Sequence, residues 1–154
     1  MVYDSFEKFW CDFSDLKGKF IKWASFDKDR VKFCCSTNVI DEEDDSLENL
    51  FYFIMEHSQN CCECVYLDEE SIKDEDESVL NYAIVLETEK ISELKDEGWL
   101  QYTYYKIRTD KGYFSFHFRG EGDSNYYTLD VDCIIECRPS EFNIDDIVKG
   151  EVRK

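Results

Sequence analysis

Apolar and polar positions alternate most regularly in the second half of this chain. Residues 100–108 and 113–119 are rich in aromatic and branched side chains. They flank Thr109-Asp110-Lys111-Gly112, a short turn with glycine where a positive φ is often required, and together predict a hairpin. Residues 19–26 and 30–36 repeat the arrangement around Asp27-Lys28-Asp29 and predict an earlier hairpin. Apolar runs at 50–57 and 62–67 predict two further strands, although 47–57 also fits a helix, because so short a run does not separate the two. Residues 81–87 read as a strand and 91–97 as a helical turn ended by Gly98. The loop 120–125 then leads to a third strand of this half at 126–135.

The two ends read differently. Phe6, Phe9, Trp10 and Phe13 recur at helical spacing, and Asp4 stands three residues before Glu7 as a capping-box variant, so residues 4–13 predict a short amphipathic helix. Pro139 interrupts the strand pattern, and 141–148 predicts a short terminal helix. The expected fold class is therefore α+β: one β-rich domain over residues 1–154, with a mostly antiparallel sheet, an N-terminal helix and a short C-terminal helix. No repeat of useful period and no Pro- or Ser-rich linker divides it.

Charge changes this picture more than composition does. Residues 41–97 hold 20 Asp and Glu against three Lys, a net of −17, while the whole chain carries −18. So dense a charge repels itself in the folded state. A solvated acidic face would account for it, and so would a basic partner. A domain this acidic is repelled by phosphates, which excludes direct nucleic-acid binding from the expected functions. No apolar run approaches the ~20 residues that cross a bilayer, and the first residues lack a basic segment followed by an apolar one. The expected location is the cytoplasm.

Eight cysteines (Cys11, Cys34, Cys35, Cys61, Cys62, Cys64, Cys133 and Cys137) read in that compartment as reduced, mostly buried thiols. His57, Cys61, Cys62 and Cys64 lie within eight residues, the nearest approach to a metal-binding spacing. On a strand, however, Cys62 and Cys64 face one side and Cys61 the other, so the segment alone cannot surround zinc. The expectation is no metal and no cofactor. Cysteine catalysis needs a thiolate beside a base, and the only histidines are His57 and His117, the latter between two phenylalanines. No phosphate-binding glycine loop, nucleophile elbow or H-E-x-x-H sequence is present, and the expectation is a protein that is not an enzyme.

Two stretches carry a resemblance. His57-Ser58-Gln59-Asn60-Cys61-Cys62-Glu63 and Tyr104-Tyr105-Lys106-Ile107-Arg108-Thr109-Asp110-Lys111-Gly112 resemble the patterns of a small family of phage-encoded proteins of unknown function. The similar stretch covers about residues 15–132, which leaves the first helix and residues 133–154 as additions. Asn60 replaces the family's usual Asp, and the glycine expected between Asn125 and Tyr126 is missing. The resemblance implies a viral or mobile-element origin and supplies no activity.

The acids Asp41, Glu42, Glu43, Asp44 and Asp45, a second group of Asp68, Glu69, Glu70, Asp74, Glu75, Asp76 and Glu77, and the aromatics Trp99, Tyr102 and Tyr104 are the expected partner-binding residues. Acids steer association with a cationic target, and tyrosine and tryptophan hold it. The leading expectation is a phage counter-defence inhibitor, for example an anti-CRISPR protein, whose acidic face occupies the basic nucleic-acid-binding surface of a host effector. An immunity protein against a basic nuclease toxin and a small metal- or nucleotide-binding domain are the alternatives.

Overall fold

The computed structural model describes residues 5–39, 50–58, 63–125, 127–142 and 147. Among these the strands are β1 (Glu7–Cys11), β2 (Phe20–Phe26), β3 (Arg30–Ser36), β4 (Leu50–Glu56), β5 (Cys64–Leu67), β6 (Ala83–Lys95), β7 (Leu100–Thr109), β8 (Gly112–Glu121) and β9 (Asp132–Cys137). They form one sheet in the order β1-β9-β4-β3-β2-β6-β7-β8-β5, and the neighbours in it run antiparallel. The fold is all-β, which corrects the α+β expectation. Its helical elements among the described residues are 3₁₀ turns of three or four residues, apart from the single helical residue Ile147.

The sheet folds over at its narrowest joint. β2 and β6 pair only at Phe20↔Ile84 and Ile21↔Ala83, whereas β7 and β8 pair from Leu100↔Glu121 to Thr109↔Gly112. Alternation along each strand gives every half one apolar face. Val31, Phe33 and Cys35 of β3 and Phe51, Phe53 and Met55 of β4 share a core with Tyr105 and Ile107 of β7 and Phe114, Phe116 and Phe118 of β8. Phe33 meets Phe116 at 6.4 Å between ring centroids, and Phe26 stacks on Phe114 at 5.0 Å. Each large side chain buried there contributes about 1.5–3 kcal/mol.

Residues 7–11 form strand β1, paired with β9 from Glu7↔Cys137 to Cys11↔Cys133, so the expected helix at 4–13 is absent over the described residues. Its aromatic spacing arises because both faces of this strand carry apolar groups: Phe9 packs against the core, while Phe6 contacts Tyr52 on the outer side. The helical turn expected at 91–97 is the last part of β6, followed by a tight turn, Asp96–Gly98, whose three residues all have positive φ and so are not helical. Cross-strand pairing with β7, from Glu87↔Arg108 to Lys95↔Leu100, overrides the local helical spacing. The strand expected at 126–135 begins later, at Asp132. Of the terminal helix expected at 141–148, Glu141 lies in the 3₁₀ turn Pro139–Glu141 and Ile147 is buried; residues 143–146 and 148 are outside the described residues.

Candidate functional site

The outer face of β6, β7 and β8 is built in rows. Each row takes one residue from each strand: Glu87, Arg108 and Tyr113; Glu89, Lys106 and Ser115; Ile91, Tyr104 and His117; Glu93, Tyr102 and Arg119. These positions alternate with the core residues Thr103, Tyr105, Ile107, Phe114, Phe116 and Phe118. Of the expected partner-binding aromatics, Tyr102 and Tyr104 therefore face outward, while the neighbouring Tyr105 is core. Trp99 is exposed beside the β6–β7 turn.

The small side chain of Ser115 between larger neighbours leaves a groove of about 410 Å³ on this face, with Tyr104, His117, Lys106, Glu89, Ile91 and Ser71 among its walls. Tyr102 and Tyr104 stack at 6.2 Å, and His117 lies 5.1 Å from the Tyr104 ring and 5.7 Å from that of Tyr102. Arg119 Nη1 donates to the Tyr102 hydroxyl at 3.1 Å, and Lys106 lies over the Tyr113 ring. Arg108 grips Glu87 through two nitrogens, at 3.1 and 3.2 Å, and that hydrogen bonding holds the Glu87 carboxyl below the usual carboxylate range.

The second acidic group borders this groove. After β5 the chain runs along the part of β8 that β5 leaves unpaired: Asp68 N–H donates to the His117 carbonyl, and His117 N–H donates to Ser71 Oγ. Asp68 Oδ2 lies 2.8 Å from His117 Nε2, while its Oδ1 caps the turn Glu69–Ile72 by accepting from Glu70 N–H. Asp76 caps the next turn, Glu77–Leu80, through Ser78, whose hydroxyl and amide hold the Asp76 carboxyl below its ordinary value. Leu80 is buried in the core and anchors the far end. Residues 68–77, with seven acids and one lysine, thus start at His117, which Asp68 and Ser71 touch, and lead along β8 toward the β7–β8 turn, where Val79 meets Thr109 and Gly112. The first acidic group, residues 41–45, lies outside the described residues.

A second polar cluster is buried between the halves. His57 Nδ1 lies 2.8 Å from the Asp130 carbonyl oxygen and Nε2 lies 2.8 Å from Glu63 Oε1, with the two side chains 6% and 1% exposed. A carbonyl oxygen only accepts, so Nδ1 carries a hydrogen and one further proton lies between Nε2 and Glu63. Tyr105 Oη and Val131 N–H both donate to Asp130 Oδ1 at 2.7 Å, and Lys90 Nζ lies 2.9 Å from Oδ2. His57 and Glu63 are the two ends of the His-to-Glu sequence read above, and their contact ties β4 to β5. Of the four residues at metal-like spacing, His57 has both ring nitrogens engaged, Cys64 is exposed on β5, and Cys61 and Cys62 lie outside the described residues. No group of three or more His, Cys, Asp or Glu arranged to hold a metal occurs among the described residues.

Several site residues were not legible in the sequence. Ser71, Ser115, Lys106 and His117 come from three separate segments: strand pairing joins Lys106 to Ser115 and sets His117 one row away, and a hydrogen bond from His117 N–H brings in Ser71. The turn-forming Asp68 and Asp76, each two residues before a backbone amide that it caps, are the local signals that the acidic stretch is ordered. Among the described residues no helix is long and apolar enough to cross a membrane. A family model, a domain of unknown function (DUF7448), matches residues 40–133, a span that includes β4 to β8 and the start of β9. No curated protein and no solved structure matches the chain.

Proposed function

This chain belongs to the DUF7448 family of domains of unknown function, and from that premise we propose that it is a non-enzymatic binding protein for a basic partner. The observation that carries the reading is the pinning of acidic residues 68–77 along β8 beside the groove of Tyr104 and His117. Fixed carboxylates accelerate encounter with a cationic surface, and the aromatic groove then supplies the contact that persists at higher salt. A concave site bordered by tyrosines suits an apolar or cationic side chain of that partner, since such anchors dominate interface energies.

The partner in this reading is a nucleic-acid-binding protein. Duplex DNA presents about one charge per 1.7 Å of axis, whereas a strand advances ~3.3 Å per residue, so a single strand cannot imitate it. Acids drawn from two successive 3₁₀ turns and from the adjoining sheet face bring the spacing closer. The resemblance of residues 57–63 and 104–112 to phage-encoded proteins supports a counter-defence inhibitor, acting in the host cytoplasm by occupying the nucleic-acid channel of a host effector.

The test is capture of partners from a phage-host lysate by the tagged protein, washed through rising salt and challenged with added DNA or guide RNA. A basic nucleic-acid enzyme retained at low salt and displaced by nucleic acid is the expected result. Replacement of Asp74, Glu75 and Glu77 by lysine, sparing the cap Asp76, should weaken capture at least tenfold, as should Tyr104→Ala. Charge-reversed protein that still captures the same partner, in this variant and in one reversed at residues 41–45, sinks the reading.

A further inference from the structure

Among the described residues, β6 has a backbone edge that no strand pairs beyond Val85. It pairs with β7 from Val85 to Lys95, but on its other side β2 reaches only Ala83 and Ile84, and Gly18 and Lys19 bond only Val85. The 3₁₀ turn Phe13–Leu16 stands beside the next residues across a cleft of about 290 Å³ lined by Asp12, Phe13, Ser14, Thr88 and Lys90. From Ile91 to Lys95 every residue is exposed, Ile91 at 55% and Leu94 at 59%, and no described strand pairs with this edge.

The other edge of this half is short and partly covered. Leu67 N–H donates to the Lys28 carbonyl, and residues 68–71 cover β8 where β5 ends. The remaining end strand of the sheet, β1, is five residues long. Proteins commonly guard an open edge with lysine, because an unpaired row of N–H and C=O groups templates a further strand. Here the two lysines of the edge are drawn to carboxylates, Lys90 to Asp130 at 2.9 Å and Lys95 to Glu93 at 3.1 Å. At ~3.3 Å per residue, Ile91 to Lys95 offers roughly 16 Å of strand clear of the Phe13–Leu16 turn, the length of a short strand.

We propose that the basic partner of the preceding reading, on which this inference rests, docks an extended lysine- or arginine-bearing segment on this edge as a tenth strand. Glu87, Glu89 and Glu93 project from one face of β6, with Ile91 among them, so the matching strand carries cations at alternate positions around a central apolar residue. A second copy of this chain fits less well. The register that sets Ile91 against Ile91 sets Glu89 against Glu93 twice, offset by Glu87 against Lys95 twice, and it joins two chains of net charge −18, so long-range repulsion disfavours it.

The experiment uses the full chain and two synthetic ten-residue peptides that alternate Lys with Val or Ile, one of them N-methylated at every second amide. Methylation keeps the charge and removes one row of backbone donors. The unmethylated peptide should bind at least ten times more tightly and slow hydrogen exchange at least tenfold at the alternate β6 amides that point away from β7. Equal binding of both peptides, abolished by lysine at Asp74, Glu75 and Glu77, overturns the added strand while the basic partner stands. Absence of binding by either peptide overturns the added strand, and the lysate capture decides the wider reading separately. A dimer that protects the β6 amides without peptide assigns the edge to a second copy and also overturns it.

Discussion

Glu63 illustrates how a residue's role depends on what it meets. In the sequence it ends a cysteine-bearing motif with the look of a metal segment, yet it is a buried carboxylate held by His57 at 2.8 Å. His57→Ala leaves that carboxylate buried without its ring partner, a change that costs about 3–5 kcal/mol. Glu63→Gln replaces the shared proton with an amide donor to Nε2 and should cost only about 1 kcal/mol. Urea unfolding of the two variants checks the difference; equal losses overturn the shared-proton geometry. The identities of these residues were legible in the sequence, but their pairing with Asp130, Tyr105 and Lys90 was not, because it joins positions up to 73 residues apart.

At the level of elements, the hairpins 20–36 and 100–121 were readable because their strands alternate and their turns carry local signals. β1 and the end of β6 were not. Phe6 and Trp10 on one side of β1 and Phe9 on the other imitate a helical stripe, and Ile91 and Leu94 do so on β6, where both are in fact exposed. Strand pairing, a non-local effect, decided each case. The late start of β9 has a similar cause. Residues 129–131 leave the sheet pattern where Asp130 receives Tyr105 and Lys90, and this brings the Leu129 backbone against β8 at Gly120. A Cβ on Gly120 would lie 2.2 Å from the Leu129 carbonyl oxygen. Gly120→Ala should therefore lower stability by about 1–3 kcal/mol through overpacking, read as a drop in the urea midpoint; an unchanged midpoint would show that the 129–131 segment gives way freely.

Across the whole molecule, burial sets the response to alkali. Burial pushes the Cys137 thiol up to about 11, with Glu141 and Glu7 adding to the shift. Burial likewise raises Cys34, Cys35, Cys133 and Tyr105. An unfolded thiol ionises near ~8.5, so between there and the folded value the native state binds more protons than the unfolded state. Stability from these groups is complete below the unfolded value and is lost as pH rises. The urea midpoint should fall between pH 8 and 10.5, with a shallower slope in Cys137→Ala; a flat or rising profile contradicts the assignment. The acidic character was plain in the sequence, but its division was not. Described residues 63–125 carry 16 acids and 7 bases, a net of −9, while described residues 5–39, 50–58 and 127–142 carry 10 acids and 8 bases, a net of −2.

The place of β9 has a consequence for synthesis. The last described strand inserts between β1 and β4, pairing Cys133 with both Cys11 and Met55. On the ribosome, β1 and the apolar strand β4, an edge until β9 is made, are synthesised long before residues 132–137 and must wait for them. Half of the sheet is therefore completed only after translation has passed residue 137, and a nascent chain stalled before residue 132 carries a β1 that has no neighbour to join and a β4 ready to pair with the wrong one.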